Sequence, residues 1–410
     1  MARKIWWYCC LCMLILGALM AFGCGDEEAV EEAAEQTPAA EAEHAEEAVP
    51  AAGEEPIRIG AVFSATGPAS FLGEPEKNTV LMLEETINSR GGLLGRDIEI
   101  IVYDDETDVD KCVLSTDKLL ENDGVVAVVG PSTSGNTLAI MDKFATAEIP
   151  LVSCAAAERI VQPVSPWVFK TPQSDRHAVT RILNHVIAQG YTKVAIITVS
   201  DGFGQAGRAV LQELIPAMGL ELVADEVYGP EDTIMTAQLT SINDQNPDAI
   251  ICWGTNPGPA AIAKNRVELG IETPLYMSHG VASKKFIELA GEASEGIMLP
   301  AGRLILAEQI ADENPQKQLL LDYIAEYKAT YDAQVSSFGG YAWDAVMLVV
   351  TAIEMGQSAD PTDIRDNLEK IQGFVGTGGI FNFSAEDHNG LTEDAFEMVI
   401  IENGEWVIAE

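Results

Sequence analysis

The 410-residue chain carries 64 Asp and Glu against 24 Lys and Arg, a formal net charge of −40. That balance argues against a nucleic-acid partner, which needs a basic footprint, and for a soluble chain repelled by anionic surfaces. Its 5 His are scattered, and Cys112, Cys154 and Cys252, the three cysteines beyond residue 24, have no metal-ligand spacing, so no metal, cofactor or catalytic cluster is expected.

Arg3 and Lys4 precede an apolar run from Ile5 to Phe22 that ends in Ala21-Phe22-Gly23-Cys24. A basic start, an apolar stretch and small residues before a break are the layout of a secretory signal peptide. With Leu19, Ala21 and Gly23 around the cysteine, the stretch resembles a bacterial lipobox. The expectation is a leader over residues 1–23 and lipidation at Cys24, which tethers the protein to the outer face of a membrane. Phe22 departs from the usual small residue there. Residues 24–56 are read as an acidic tether. Residues 25–55 hold twelve carboxylates, no Lys or Arg and almost no large apolar side chains. Such a segment cannot bury enough surface to offset its ordering entropy.

From Ile57 onward strands and helices alternate. IRIGAVF, DIEIIVYDD, GVVAVVG and IPLVS read as strands. Helices are predicted over 76–89, 110–120 and about 135–145. Trp167 to Pro172 breaks the rhythm, after which it restarts. Helices over 175–189, 204–218, 234–244 and 260–269 alternate with the strands KVAIITV, LELVADEVY, DAIICW and PLYMS. Strands apolar throughout and separated by helices mean parallel sheets covered on both faces. About 355 residues exceed the usual single core, so two doubly wound α/β lobes are expected. The last hundred residues read as helices over 316–331, 340–355 and 361–371. A short strand in GGIFNF and a hairpin turning at Asn403-Gly404 follow. Those helices lack strands of their own and must pack on lobes already built. The chain should therefore cross between lobes more than once.

In open parallel sheets ligands bind beyond the carboxyl ends of strands. The loops there run from Ser64 to Gly73, Pro131 to Gly135, Cys154 to Glu158, Asp201 to Gly204, Gly254 to Pro257 and Ser278 to Gly280. Ser132, Thr133 and Ser134 open a helix whose free amides favour a carboxylate, and Ser134 also suits the N-cap. Gly202-Phe203-Gly204-Gln205-Ala206-Gly207 is a G-x-G-x-x-G between strand and helix. An acidic pair, Asp225-Glu226, follows about 20 residues on, the setting of a dinucleotide fingerprint. Cys112, Cys154 and Cys252 are expected to be buried thiols.

Taken together, IRIGAVFSATGPAS, INSRGGLLGRDIEIIVYDDE, VVGPSTSG, IPLVS, PWVFKTPQSD, KVAIITVSDGFGQAG and AGEASEGIML resemble the branched-chain amino acid group of type I periplasmic binding proteins. These are solute-binding components of ABC transporters. The resemblance covers residues 57–410 and sets the dinucleotide reading aside. It implies two α/β lobes closing on a small ligand, with three crossings near Thr171–Asp175, Leu299–Leu304 and Val375–Gly379. Lobe 1 would then hold 57–173 and 304–376, and lobe 2 would hold 174–303 and 377–410. It also implies a monomer that delivers its ligand to permease subunits. A sensor with the same clamshell is the alternative.

Residue by residue, the resemblance puts the ligand carboxylate on Ser134, with Ser132 and Thr133 beside it. Phe71 and Leu72 join from the first loop. The family's clamping threonine is Ala157 here, leaving backbone groups of Ala155 and Ala157. The aromatic wall of the second lobe is Phe203. A tyrosine often found at a later strand end is replaced near Thr255, and the acid that pairs with a ligand ammonium falls near His279. A histidine there implies that an organic or aromatic carboxylate suits this site at least as well as an aliphatic amino acid.

Overall fold

The structure, a computed structural model, describes residues 55–409. The predicted leader, Cys24 and the tether up to residue 54 lie outside the described residues. Two sheets organise the chain. The first is parallel, with β1 (Ile57–Phe63), β2 (Ile98–Asp104), β3 (Ala127–Val129), β4 (Leu151–Ser153) and β5 (Val168–Lys170) in the order β2-β1-β3-β4-β5. Alternate residues of its strands feed separate cores. Ile57, Ile59, Ala61 and Phe63 pack with α1 (Ser70–Ser89) and α10 (Ser337–Gly356). Val62 and Val128 pack with α2 (Val109–Glu121) and α3 (Ser134–Ala147) on the other face.

The second sheet has seven strands in the order β14-β13-β10-β9-β8-β6-β7. Here β6 (Lys193–Val199), β7 (Glu221–Tyr228), β8 (Ala249–Trp253), β9 (Leu275–Met277) and β10 (Met298–Gly302) run parallel. β13 (Phe396–Glu402) and β14 (Glu405–Ile408) add an antiparallel edge. Val194 and Ile196 face α4 (Asp175–Ala188) and α5 (Gly202–Ala217). Ala195 and Ile197 face the side covered by α6 (Thr236–Asn243), α7 (Gly258–Glu268) and α8 (Lys284–Ala290). The β13–β14 turn is Asn403-Gly404 with φ of 53° and 72°, the left-handed pair that a two-residue hairpin requires. Both turn amides donate to the Glu295 carboxylate, at 2.9 and 2.7 Å.

The C-terminal helices are α9 (Lys317–Tyr331), α10 and α11 (Pro361–Leu368). α10 and α11 belong to the first lobe, whereas α9 contributes Leu320, Tyr323 and Tyr327 to a core of the second. α9 also reaches back to α1, where the Tyr323 hydroxyl lies 2.7 Å from Thr79 Oγ1. The third crossing comes later than expected. After β11 (Gln372–Val375) and β12 (Ile380–Asn382), the side chains of Phe381, Phe383, Leu391 and Ala395 still fill the first lobe's core. The chain enters the second sheet only at Phe396. At the expected crossing, the Thr377 and Gly378 amides instead donate to the buried Asp344 carboxylate of α10. Burial holds that carboxyl at about 7 despite these bonds. Gln173 ties the hinge together, donating to Gly378 O at 2.6 Å and accepting from the Tyr341 hydroxyl at 3.0 Å.

Candidate functional site

The strand-end loops of both lobes meet around a cavity of about 450 Å³, a size ordinary for a small-molecule site. From the first lobe come Leu72, Ser132, Thr133, Ser134 and Gly135. From the second come Asp201, Phe203, Tyr228, Thr255, Asn256 and His279. Among the described residues that line it there is no Lys or Arg, so a ligand anion must be met by dipoles rather than by a salt bridge.

The first-lobe wall is built on the start of α3. Thr133, not Ser134, is the N-cap, its hydroxyl accepting from the Asn136 amide at 3.4 Å. Ser134 is thereby the first helical residue. The next helical amide to find a backbone partner is that of Thr137, which donates to Thr133 O at 3.0 Å. The Ser134 hydroxyl accepts from the Ala157 amide at 3.2 Å. The Ser132 hydroxyl donates to the Glu76 carboxyl and accepts from the Ser64 amide. Glu76 lies wholly buried behind it, its carboxyl pushed well up by loss of solvent.

Three expected contacts fall elsewhere. Phe71 is not in the wall, because α1 begins six residues before the predicted Glu76 and turns that ring inward. It packs edge-on against Phe338, 5.7 Å between centroids, and Phe338 does line the cavity. Ala155 and Ala157 are buried outside the lining. Their amides are taken by the hydroxyls of Ser153, at 3.1 Å, and Ser134. Ala156 lines the cavity from that loop, its carbonyl accepting from Lys170 Nζ at 3.0 Å.

The second-lobe wall is aromatic. Phe203 stands 5.7 Å from Trp253 and 5.5 Å from His279, and His279 is also 5.3 Å from Phe396. This apolar cage, with Lys170 and His177 nearby, pushes His279 down to about 3, so the imidazole is neutral at physiological pH. It is 2 % exposed and neither ring nitrogen has a partner in the protein. Asp201 caps α5 by accepting from the Gly204 amide at 2.8 Å. Burial raises its carboxyl, partly offset by the amides of Gly204 and Phe203. The phenol of Tyr228 reaches the site over Gly254 and Gly258, where any Cβ would meet its ring or hydroxyl at 2.0–2.5 Å. It occupies the wall near Thr255, where a tyrosine was expected to be missing.

The helix starts of α3 and α5 touch across the cleft. A Cβ on Gly202 would stand 2.9 Å from both Cα and N of Gly135. Sequence reasoning missed Tyr228, Asn256, Phe338 and Tyr341 as wall residues. Asn256 sits in a strand-end loop already singled out, but Phe338 and Tyr341 come from α10, which no strand-end rule reaches.

Two α/β lobes around one cleft, lined by helix starts from both, define a two-lobed solute-binding protein. The sequence profile of the periplasmic binding protein family matches residues 56–405. The chain belongs to that family. It is 24% identical over 315 residues to the leucine-, isoleucine-, valine-, threonine-, and alanine-binding protein of Pseudomonas aeruginosa, covering 76% of this chain and 82% of the relative. An extracellular ligand-binding receptor from Rhodopseudomonas palustris HaA2 superposes with a TM-score of 0.82 at 29% identity, covering 87% of this chain and 100% of that one. The branched-chain amino acid transporter substrate binding protein LivJ from Streptococcus pneumoniae, in complex with isoleucine, gives 0.77 at 26% identity, covering 87% and 99%.

Proposed function

We propose that this protein captures a small carboxylate-bearing ligand between its lobes and delivers it to the permease subunits of an ABC transporter, as a monomer held at the membrane by lipid on Cys24. The observation that carries the reading is the cavity bounded by the starts of α3 and α5. The helix dipole and first amides of α3, with the Ser134 hydroxyl, favour a carboxylate there. Phe203 offers a flat apolar wall opposite. For an amino acid, the ammonium has two acids in the lining, Asp201 and the exposed Glu231 at the mouth. Those acids supply the charge that His279 does not. Aliphatic amino acids and threonine, the ligands named for the Pseudomonas aeruginosa relative, and aromatic or other organic acids are both compatible with this arrangement.

A thermal-shift panel of amino acids and organic acids, each beside its carboxyl-capped amide, tests it. Acids should raise the melting temperature and their amides should not. Equal shifts from acid and amide would refute the carboxylate end. Cys24→Ala should release the protein from the membrane fraction, and retention there would refute the anchor.

A further inference from the structure

The two walls of the cavity differ in how their polar groups are satisfied. On the first-lobe side the side chains are spoken for. Ser132 is bonded to Glu76 and Ser64, Asn136 donates to Asp105 at 2.7 Å, and Thr133 caps its helix. On the second-lobe side they are not. Asn256 is 6 % exposed, and neither its amide oxygen nor its amide nitrogen has a partner in the protein. The same holds for both nitrogens of His279, while the hydroxyl of Tyr228 lies beside the Cys252 thiol. All three residues line the cavity.

These groups belong to one patch. A Cβ on Gly280, next to His279, would meet Gly254 O at 2.8 Å, Phe203 Cε1 at 2.9 Å and Thr255 Cγ2 at 3.1 Å. The loop that carries Asn256 is thus pressed against the loop that carries His279, with the Phe203 ring in contact beside them. Buried donors and acceptors left unmade are costly, and native proteins keep few of them. Four such atoms on one wall of a ligand cavity call for a partner that comes from outside the chain.

The chemistry of that partner follows. A neutral imidazole offers one donor and one acceptor, and a carboxamide offers donors and an acceptor. A ligand group that only donates or only accepts would satisfy half of them. A bare hydrocarbon would satisfy none and would bury all of them dry. A second anion would find no Lys or Arg among the described lining residues, and the acids of the lining, Asp201 and Glu231, are already assigned to a ligand ammonium.

We infer that the ligand carries, at the end remote from its carboxylate, an uncharged group that both donates and accepts (a hydroxyl or carboxamide) and hydrogen-bonds to Asn256 and His279 beside the ring of Phe203. This rests on the carboxylate end lying at α3, as proposed above. It makes a plain aliphatic side chain the wrong occupant of the second-lobe wall.

Matched pairs test it by titration calorimetry on the purified protein: phenylalanine and tyrosine, benzoate and 4-hydroxybenzoate, leucine and glutamine. A site built to hydrogen-bond a ligand group discriminates strongly against analogues that lack it. The oxygenated member should bind at least about tenfold tighter in every pair that binds. Asn256→Leu should erase that preference, reducing the ratio of affinities within each pair to near one. His279→Gln, which keeps a neutral donor and acceptor, should retain it and covers the case in which Asn256→Leu fails to fold. Equal affinity within each pair, or leucine binding as tightly as any oxygenated acid, overturns the inference while leaving the carboxylate reading intact. If the carboxyl-capped amides of tyrosine and glutamine bind as well as the acids, the carboxylate end falls and the pair preference still reports on the distal group. No binding by any acid or amide in the panel removes both.

Discussion

Replacing Gly202 with alanine separates closure of the cleft from stability of the lobes. The added Cβ would lie 2.9 Å from the Cα and N of Gly135 and 3.5 Å from the carbonyl carbon of Ser134. Carbon atoms rest at about 3.5–4.0 Å, so the first contacts fall short by roughly 0.6 Å or more. Both obstacles are backbone at the start of a helix, and no rotamer change relieves them. The lobes must part instead. Overpacking of this kind costs about 1–3 kcal/mol, and here the cost falls on the closed form alone, because parted lobes leave the Cβ facing solvent. At about 1.4 kcal/mol per tenfold, ligand affinity should fall by roughly 5- to 150-fold. Titration calorimetry with the best ligand from the panel measures the loss, and thermal unfolding without ligand serves as the control. Ligand-free melting should be unchanged. A dissociation constant within twofold of the wild type, or a ligand-free melting temperature that drops in step with affinity, would refute the reasoning.

The other two glycines of the same motif should behave oppositely. A Cβ on Gly204 would meet Val199 O at 1.9 Å, and one on Gly207 would meet Trp253 Nε1 at 2.1 Å. Both clashes lie inside the second lobe, so each alanine variant should lower the ligand-free melting temperature, by roughly 1–2 °C per kcal/mol in a chain of this size. Phe203→Ala removes the flat wall and should weaken binding by more than about tenfold, while unchanged affinity by calorimetry would take Phe203 out of the site. His279 supplies a pH test. Its folded value of about 3 lies below the ordinary 6.5, so between those pH values the unfolded chain holds a proton that the folded one lacks. Stability is therefore full above about 6.5 and is lost as pH falls, at up to about 1.4 kcal/mol per pH unit. Urea unfolding should show the wild type losing stability relative to His279→Gln between pH 6 and 4, and the opposite trend would show an imidazole that is not buried neutral.

Much of the fold was legible because its strands are short apolar runs between helical repeats. KVAIITV became β6 with the bounds read from sequence, and the Asn403-Gly404 signal became the hairpin turn. What escaped was set by packing rather than by pattern. β10 contains Pro300 and Gly302, poor strand residues, yet it is the strand on which the antiparallel edge is built. α1 runs through Pro75, so its first turn was assigned to a loop and Phe71 with it. The late third crossing depends on Phe381 and Phe383 choosing the first lobe's core, which no local signal encodes. At the site, strand-end loops were readable because parallel sheets expose them at one edge. Which polar groups there lack partners was not readable. Ser132 and Asn256 look equally available in sequence, and only the surroundings show that Glu76 occupies one while nothing in the protein occupies the other.

The G-x-G-x-x-G spacing can now be argued on steric grounds. In a dinucleotide site the second glycine lets the backbone approach a pyrophosphate and the third lets helix pack on strand. Here the space beside Gly204 is filled by the Val199 carbonyl and the space beside Gly207 by the Trp253 indole. Gly202, the residue at the mouth, is pressed against the opposing helix start. Any strand that turns tightly into a helix lying on its own sheet meets these three demands: at the turn, under the strand end, and one helical turn further on. The pattern therefore reports the doubly wound unit and not its ligand. Saturating NAD is the direct check. A ligand at a hundredfold excess over its dissociation constant stabilises by about 2.7 kcal/mol, which a thermal scan registers easily. No shift is expected, because the Gly204 amide a pyrophosphate would need already donates to the Asp201 carboxylate at 2.8 Å and the described residues lining the cavity include no Lys or Arg. A clear shift that Gly202→Ala abolishes would overturn this account of the motif.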